Sequence, residues 1–409
     1  MQLRDYQIKI AAQTNELLLR FKIAYLCLEV RVGKTLTALE AARLYGAKDV
    51  LFVTKKKAIG SIQQDYEATG KHFNLYLINY DSLHKVTEKF DLIILDEAHS
   101  IAQYPIPANR TKELKRICKD LPIIFLSGTP SPESFAQFYH QFFVSSYSPF
   151  NQYANFYKWH KEFGIPKKKY LYGREIADYS CVKMDLLKPI INKYMISFSQ
   201  IDAGFEMFVE EEILKVPMSE KIQKAITILR RDKVFTTKAG MTILADTAVK
   251  EMQKVHQLCG GTVKAECGTG IVFDTTKVDF IKERFKGQKI AIFYKYIAEG
   301  IALRDAFKGR VYDDPIDFNK ADNEAVFICQ VQSGREGINV STADCLVMYN
   351  IDFSALSYWQ SRARLQTKNR VKKAMVYWIF TDGGIEEKIY QMVLNKKDFT
   401  TVHYKKSNF

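Results

Sequence analysis

Paired cysteines are missing from this chain of 409 residues: seven lie scattered at positions 27, 118, 181, 259, 267, 329 and 345, with no CxxC among them. Such spacing excludes a disulfide scaffold and fits reduced core thiols in a cytosolic-type compartment. Cys259 and Cys267 flank a glycine-rich turn, but no further ligands stand near them to complete a zinc site. Long apolar runs are missing too, and no secretory leader is read at the start, so neither a membrane span nor export is expected. Internal repeats and low-complexity tracts are absent, which excludes a solenoid or a disordered linker protein. Acidic residues are the minority, 46 Asp and Glu against 60 Lys and Arg, for a formal charge of +14. That excess points to a polyanionic partner, of which nucleic acid is the commonest.

What is present supports large buried cores: 47% of the residues are hydrophobic and 13% aromatic. A chain this long is too big for one core and natural for two. Its most informative stretch is Glu29-Val30-Arg31-Val32-Gly33-Lys34-Thr35. The apolar run Ile23 to Leu28 before it reads as a buried strand, and Leu36 to Leu44 after it has helical spacing. Strand, Gly-Lys-Thr turn and helix is the setting of a phosphate-binding loop. In that setting backbone N–H groups and the positive helix end face phosphates. Lys34 then reaches the terminal phosphates and Thr35 sits on Mg²⁺. The full pattern has a glycine five residues before Gly33, where this chain has Leu28.

Short continuous apolar runs recur, as in strands buried on both faces of a parallel sheet. Val50 to Val53 ends at Thr54 and a lysine run from Lys55 to Lys57. Leu75 to Ile78 ends at Asn79-Tyr80-Asp81, Leu92 to Leu95 at Asp96-Glu97-Ala98-His99, and Ile123 to Leu126 at Ser127-Gly128-Thr129-Pro130. Each polar cluster follows its strand, where open α/β sheets place their ligands. Asp96 is thus positioned to hold Mg²⁺ and Glu97 to polarise the attacking water. From about Ser145 to Phe205 the texture turns aromatic and basic, including Lys167-Lys168-Lys169. This stretch is expected to be a mainly helical insertion that touches a nucleic-acid backbone or simply packs its aromatics. A helical pattern runs from Ser219 to about Leu258 with a break near Gly240, and Gly260 to Gly270 reads as a turn or short hairpin. Strands then follow at Ile290 to Tyr294, Val326 to Val331, Cys345 to Tyr349 and Met375 to Phe380, with helices between them. The expected fold is α/β, two RecA-like parallel-sheet domains in tandem with a mainly helical insertion. Its parts are lobe 1 at 1–144, the insertion at 145–205, and lobe 2 at 206–409 with a helical lead-in over 219–258.

The ordered set of motifs resembles a superfamily 2 helicase, closest to the Swi/Snf-like, DEAH-type translocases and their compact phage relatives. Leu3-Arg4-Asp5-Tyr6-Gln7 resembles the adenine-reading opening, and members of this branch also lack the leading glycine of the phosphate loop. Ser333-Gly334-Arg335-Glu336-Gly337-Ile338-Asn339 resembles motif V and Gln360-Ser361-Arg362-Ala363-Arg364 resembles motif VI. Motif VI is compressed: one residue separates the two arginines, and if Arg362 takes the first role, the usual glutamine position is Tyr358.

The resemblance implies ATP with Mg²⁺ as cofactor, bound by Arg4, Gln7, Arg31, Val32, Gly33, Lys34, Thr35 and Gly337, with Thr35 and Asp96 holding the metal. Lys34, Asp96, Glu97 and an arginine finger, Arg362 or Arg364, would carry catalysis. His99, Ser127 and Thr129 would couple nucleotide state to domain motion. Thr54, Lys55, Asn79, Tyr80 and Ser333 would contact nucleic acid. The implied activity is ATP-dependent DNA translocation or unwinding by a monomer on duplex, forked or branched DNA. An RNA helicase and an ATP-gated DNA-binding module with little turnover stay open as alternatives. Economy of size points to the cytoplasm of a prokaryote or of a phage-infected host.

Overall fold

In the computed structural model of the protein, residues 2–171, 174–204, 209–334, 338–354, 358, 361, 363–365 and 374–395 are described. The chain divides after Gly204 into two compact units, Met1–Gly204 and Phe205–Asn395. Each is built on a six-stranded, fully parallel sheet flanked by helices, which is the tandem α/β fold expected from the strand pattern.

The first unit opens with helix α1 (Asp5–Phe21), whose buried residues Gln7, Ile10, Ala11, Thr14 and Leu18 repeat at helical spacing and mark the face turned inward. Its strands are β1 (Ile23–Leu28), β2 (Asp49–Thr54), β3 (Asn74–Asn79), β4 (Leu92–Leu95), β5 (Ile123–Leu126) and β8 (Met195–Phe198), in the order β3-β2-β4-β5-β1-β8. β1, β4 and β5 are buried along their whole length, which is why they read as unbroken apolar runs. Helix α2 (Lys34–Tyr45) starts at Gly33 and stops at Gly46; both glycines take left-handed backbone that a side chain would resist. Between β5 and β8 lie helices Phe156–Phe163 and Met184–Ile191 and an antiparallel hairpin, β6 (Lys167–Leu171) with β7 (Arg174–Asp178).

The segment expected as an aromatic and basic insertion therefore holds a hairpin and the edge strand of the first sheet besides its helices. Phe150, Phe156, Trp159 and Phe163 of this segment pack inward and share one core with Tyr25, Phe125 and Phe142, while Tyr147 and Tyr157 are exposed. Lys167 and Lys168 are exposed on the hairpin.

In the second unit the strands are β9 (Val209–Val216), β14 (Ile290–Tyr294), β15 (Val311–Tyr312), β16 (Val326–Gln330), β17 (Cys345–Met348) and β18 (Ala374–Thr381), ordered β15-β16-β14-β17-β18-β9. The helical pattern over 219–258 is two helices, Glu220–Asp232 and Ala248–Cys259. Between them stands a small hairpin, β10 (Val234–Thr236) with β11 (Thr242–Leu244), and Gly240 sits left-handed in its turn. A second hairpin, β12 (Thr262–Lys264) with β13 (Gly270–Val272), occupies the expected turn at 260–270. One hydrophobic cluster around Phe293, Phe327, Tyr358 and Trp378 and another around Val278, Leu303, Val347 and Ile379 use alternate residues of the same strands, so the sheet is buried on both faces. All seven cysteines are free thiols, and among the described residues no helix is long and apolar enough to cross a membrane.

Candidate active site

The carboxyl ends of β1, β4 and β5 bring together three stretches that lie up to a hundred residues apart in the chain. After β1 the backbone turns through Arg31 at φ +68° and Gly33 at φ +84° before entering α2. Left-handed backbone at a non-glycine residue is costly and is kept where the surroundings over-determine it. Gly33 has a second reason to lack a side chain: a Cβ there would lie 2.1 Å from Gln7 Nε2. The Gln7 amide is buried, accepting the Arg4 N–H at 2.9 Å and donating to Gly33 O at 3.4 Å. Arg4 itself is exposed and donates to the Tyr6 hydroxyl. Thus Gln7, expected to read a base, is fastened to the turn between β1 and α2.

Lys34 Nζ donates to Leu28 O at 3.3 Å. Gly128, after β5, approaches the same place, and a Cβ on it would meet Leu28 O at 3.3 Å and Lys34 Nζ at 3.7 Å. Two glycines thus keep side chains out of a space bordered by an ammonium group and the start of a 12-residue helix. The first amides of such a helix have no acceptor within it.

Asp96 stands at the end of β4. Its Oδ2 accepts the Thr54 hydroxyl at 2.8 Å and its Oδ1 accepts the Glu97 N–H at 3.0 Å. Burial, reinforced by the Glu97 carboxylate, pushes the Asp96 carboxyl up to about 6, against the pull of Thr54 and Lys34. Tyr80 is buried and donates its hydroxyl to the carbonyl of Asp96. Thr54 and Tyr80, two of the residues expected on a nucleic-acid face, are thus interior groups that hold Asp96. Lys55 and Asn79 stay half-buried at the ends of β2 and β3, and the Asn79 side chain accepts the Asp81 N–H at 3.0 Å.

Glu97 takes left-handed backbone, φ +49°. Its Oε2 lies 3.3 Å from His99 Nδ1, which lies 3.1 Å from Ser127 Oγ. Ser127 Oγ in turn accepts the Thr129 N–H at 3.2 Å. The three residues expected to couple nucleotide state to motion therefore form one chain that begins at Glu97.

No family model matches the chain. It is 22% identical over 394 residues, 86% of its length, to the CHD3-type chromatin-remodeling factor PICKLE of Arabidopsis thaliana. It is 28% identical over 243 residues, 59% of its length, to the chromatin-remodeling ATPase INO80 of Neurospora crassa. The chain spans 27% of the first protein and 10% of the second. Among solved structures it is similar to the SWI2/SNF2 ATPase core of Sulfolobus solfataricus in complex with dsDNA, at 16% identity and a TM-score of 0.44, covering 98% of this chain and 92% of that one.

The donor set suits a nucleoside triphosphate with magnesium. Backbone amides and the Lys34 ammonium are donors of the kind that phosphate accepts; Thr35 and Asp96 offer one hydroxyl and one carboxylate. Among the described residues no group of three or more His, Cys, Asp and Glu side chains is arranged for a metal ion. One carboxylate beside phosphate oxygens and waters is the way Mg²⁺ is commonly held, whereas dedicated protein cages suit other ions. When bound, held by Thr35 and Asp96, the ion would supply positive charge that neutralises the phosphates.

In the second unit, Ser333 is half-buried in the short helix Val331–Gly334, while Gly337 and Arg362 lie outside the described residues. Arg364 is described and largely buried, 8% exposed. Tyr358 is a packing residue: it stacks on Trp378 with ring centroids 5.2 Å apart and donates its hydroxyl to Glu211. Sequence reasoning missed Gln200, which bonds to the phosphate loop from 171 positions away.

Proposed function

We propose that this chain is a DNA-directed ATPase of the Swi/Snf-like kind, in which hydrolysis of Mg²⁺-ATP drives movement along DNA and, on forked or branched substrates, strand remodelling. The observation that carries the reading is the convergence of Lys34, Gly33 and Asp96 at one sheet edge, with Lys34 acting electrostatically on the Asp96 carboxylate. The similarity to a chromatin-remodeling factor and to a chromatin-remodeling ATPase supports it, as does the charge of +14. In this reading Lys34 and the loop amides take the triphosphate, Thr35 and Asp96 the metal, and Glu97 the attacking water. Lys55, Asn79, Ser333 and the exposed lysines of the β6–β7 hairpin take the nucleic-acid backbone, the hairpin being the candidate for parting strands.

The deciding experiment is ATP hydrolysis with and without duplex, forked and single-stranded DNA, beside matched RNA. DNA should raise turnover, and a rate indifferent to every nucleic acid would overturn the proposal; faster turnover on RNA would redirect it to RNA. Affinity should fall with salt at a slope of about −0.9 per phosphate neutralised on duplex DNA. The double variant Lys167→Ala, Lys168→Ala should flatten that slope by about 1.8 if both lysines meet phosphates.

We propose that an arginine of the second unit, Arg362 or Arg364, contributes to catalysis. Its replacement by Ala should lower DNA-stimulated turnover by about 10³-fold or more while nucleotide still binds. Near-normal turnover in both single variants would remove that assignment.

A further inference from the structure

Three hydrogen bonds tie the end of β8 to the phosphate loop. The Glu29 N–H donates to Phe198 O at 3.0 Å, extending the β1–β8 pairing one step beyond the strand. The Gln200 backbone N–H donates to Glu29 Oε2 at 2.9 Å, and its side-chain Nε2 donates to Val30 O at 2.9 Å. Gln200 sits on a turn that is itself closed. The Ser199 N–H and hydroxyl donate to Asp202 Oδ2 at 2.8 and 2.7 Å, and the Asp202 N–H donates back to Ser199 Oγ at 3.2 Å. Just before it, Phe198 stacks on Tyr6 with centroids 5.0 Å apart, so the anchor is fixed on both sides.

The second Gln200 bond falls at the point where the loop is most strained. Val30 C=O and the Arg31 N–H belong to one rigid peptide plane. Holding Val30 O sets the tilt of that plane, and the tilt of that plane is what φ at Arg31 measures. Arg31 takes φ +68°, a region that an L-residue resists because its Cβ crowds the backbone. Released from Gln200, the plane can turn toward ordinary backbone, and the amides that follow would leave the phosphate direction. The Glu29 bond alone cannot prevent this, because it holds a side chain and leaves the plane free.

We infer that Gln200 is a positioning residue for the phosphate loop: it keeps Arg31 left-handed and thereby aims the loop at the nucleotide. The inference rests on the nucleotide-binding reading above, and the test separates the two. Gln200→Leu keeps similar bulk and removes the donor; Gln200→Lys keeps a donor that reaches the same carbonyl. Binding of Mg²⁺-ADP by calorimetry, KM and kcat for ATP, and the melting temperature are measured for wild type and both variants. The Leu variant should bind Mg²⁺-ADP about tenfold more weakly and raise KM by a similar factor, with kcat at saturation within about twofold. The Lys variant should bind within about twofold of wild type. Unchanged binding in the Leu variant, or equal impairment in both, overturns the positioning role, and a lowered melting temperature with unchanged KM does the same. A wild-type protein that neither binds Mg²⁺-ADP nor hydrolyses ATP overturns the function itself.

Discussion

Lys34→Ala should lower the turnover of Mg²⁺-ATP by at least about 10²–10³-fold, the usual cost of removing one preorganised group from developing charge. Its ammonium donates to Leu28 O, a neutral acceptor that it can leave when phosphate arrives. Arginine should not rescue the loss, because a planar fork cannot replace a compact charge in a space bounded by Gly128 and the loop backbone. A second signature follows from the same side chain. Lys34 pulls the Asp96 carboxyl down against burial and Glu97, so deleting it drives Asp96 further up from about 6. Metal loading needs the carboxylate, and residual activity should therefore fail at a higher pH in the variant than in wild type. Steady-state rates between pH 5 and 9 check both effects. Wild-type-like turnover would remove Lys34 from the site, and an unmoved acid limb would show that the two groups do not interact.

The sequence foretold the centres of the two sheets better than their rims. β1, β4, β5 and β14 match the expected strands end to end because both faces are buried and apolar residues run without interruption. β8 and β9 escaped because edge strands show one side to water: Glu210 and Glu212 are exposed on β9, while Glu211 turns inward to bond Trp378 and Tyr358. The break near Gly240 in the lead-in shows in the sequence but the hairpin filling it does not, because two three-residue strands are too short to imprint a period of their own. Gly33, Lys34 and Asp96 could be brought to one place from the sequence because each lies in a polar cluster that follows an unbroken apolar strand of the same sheet. Thr54 and Tyr80 turn inward to Asp96, which the sequence does not reveal, since a residue at a strand end can face a ligand or the interior and only packing decides. Gln200 carried no local signal at all; its partners, Glu29 and Val30, lie in the turn just after β1, which the β1–β8 pairing brings alongside.

Asp96→Asn should end turnover and yet make the protein more stable at neutral pH. Activity fails because an amide cannot hold the cation, and the drop should be at least as large as for Lys34. Stability rises because the carboxylate is buried beside Glu97. The sign follows from proton binding. An acid pushed up to about 6 in the folded protein, from an unfolded value of 3.8, binds its proton more tightly when folded. Unfolding free energy contributed by this group therefore falls as pH rises from about 4 to about 6, then stays flat. The full penalty above pH 6 is on the order of 3 kcal/mol for a shift near two units. Asparagine does not titrate, and it can still accept the Glu97 N–H and meet the Thr54 hydroxyl, which donates to this side chain in the wild type. The stability gap between variant and wild type should accordingly open between pH 4 and pH 6 and hold to pH 8, with melting raised by about 2–4 °C per kcal/mol in a unit of this size. Thermal melts of both proteins at pH 4, 6 and 8 decide it. A variant that melts lower than wild type at pH 8 would mean that Asp96 earns its burial through Thr54 and Glu97 as a structural group, and its place as the metal ligand would lose its strongest physical support.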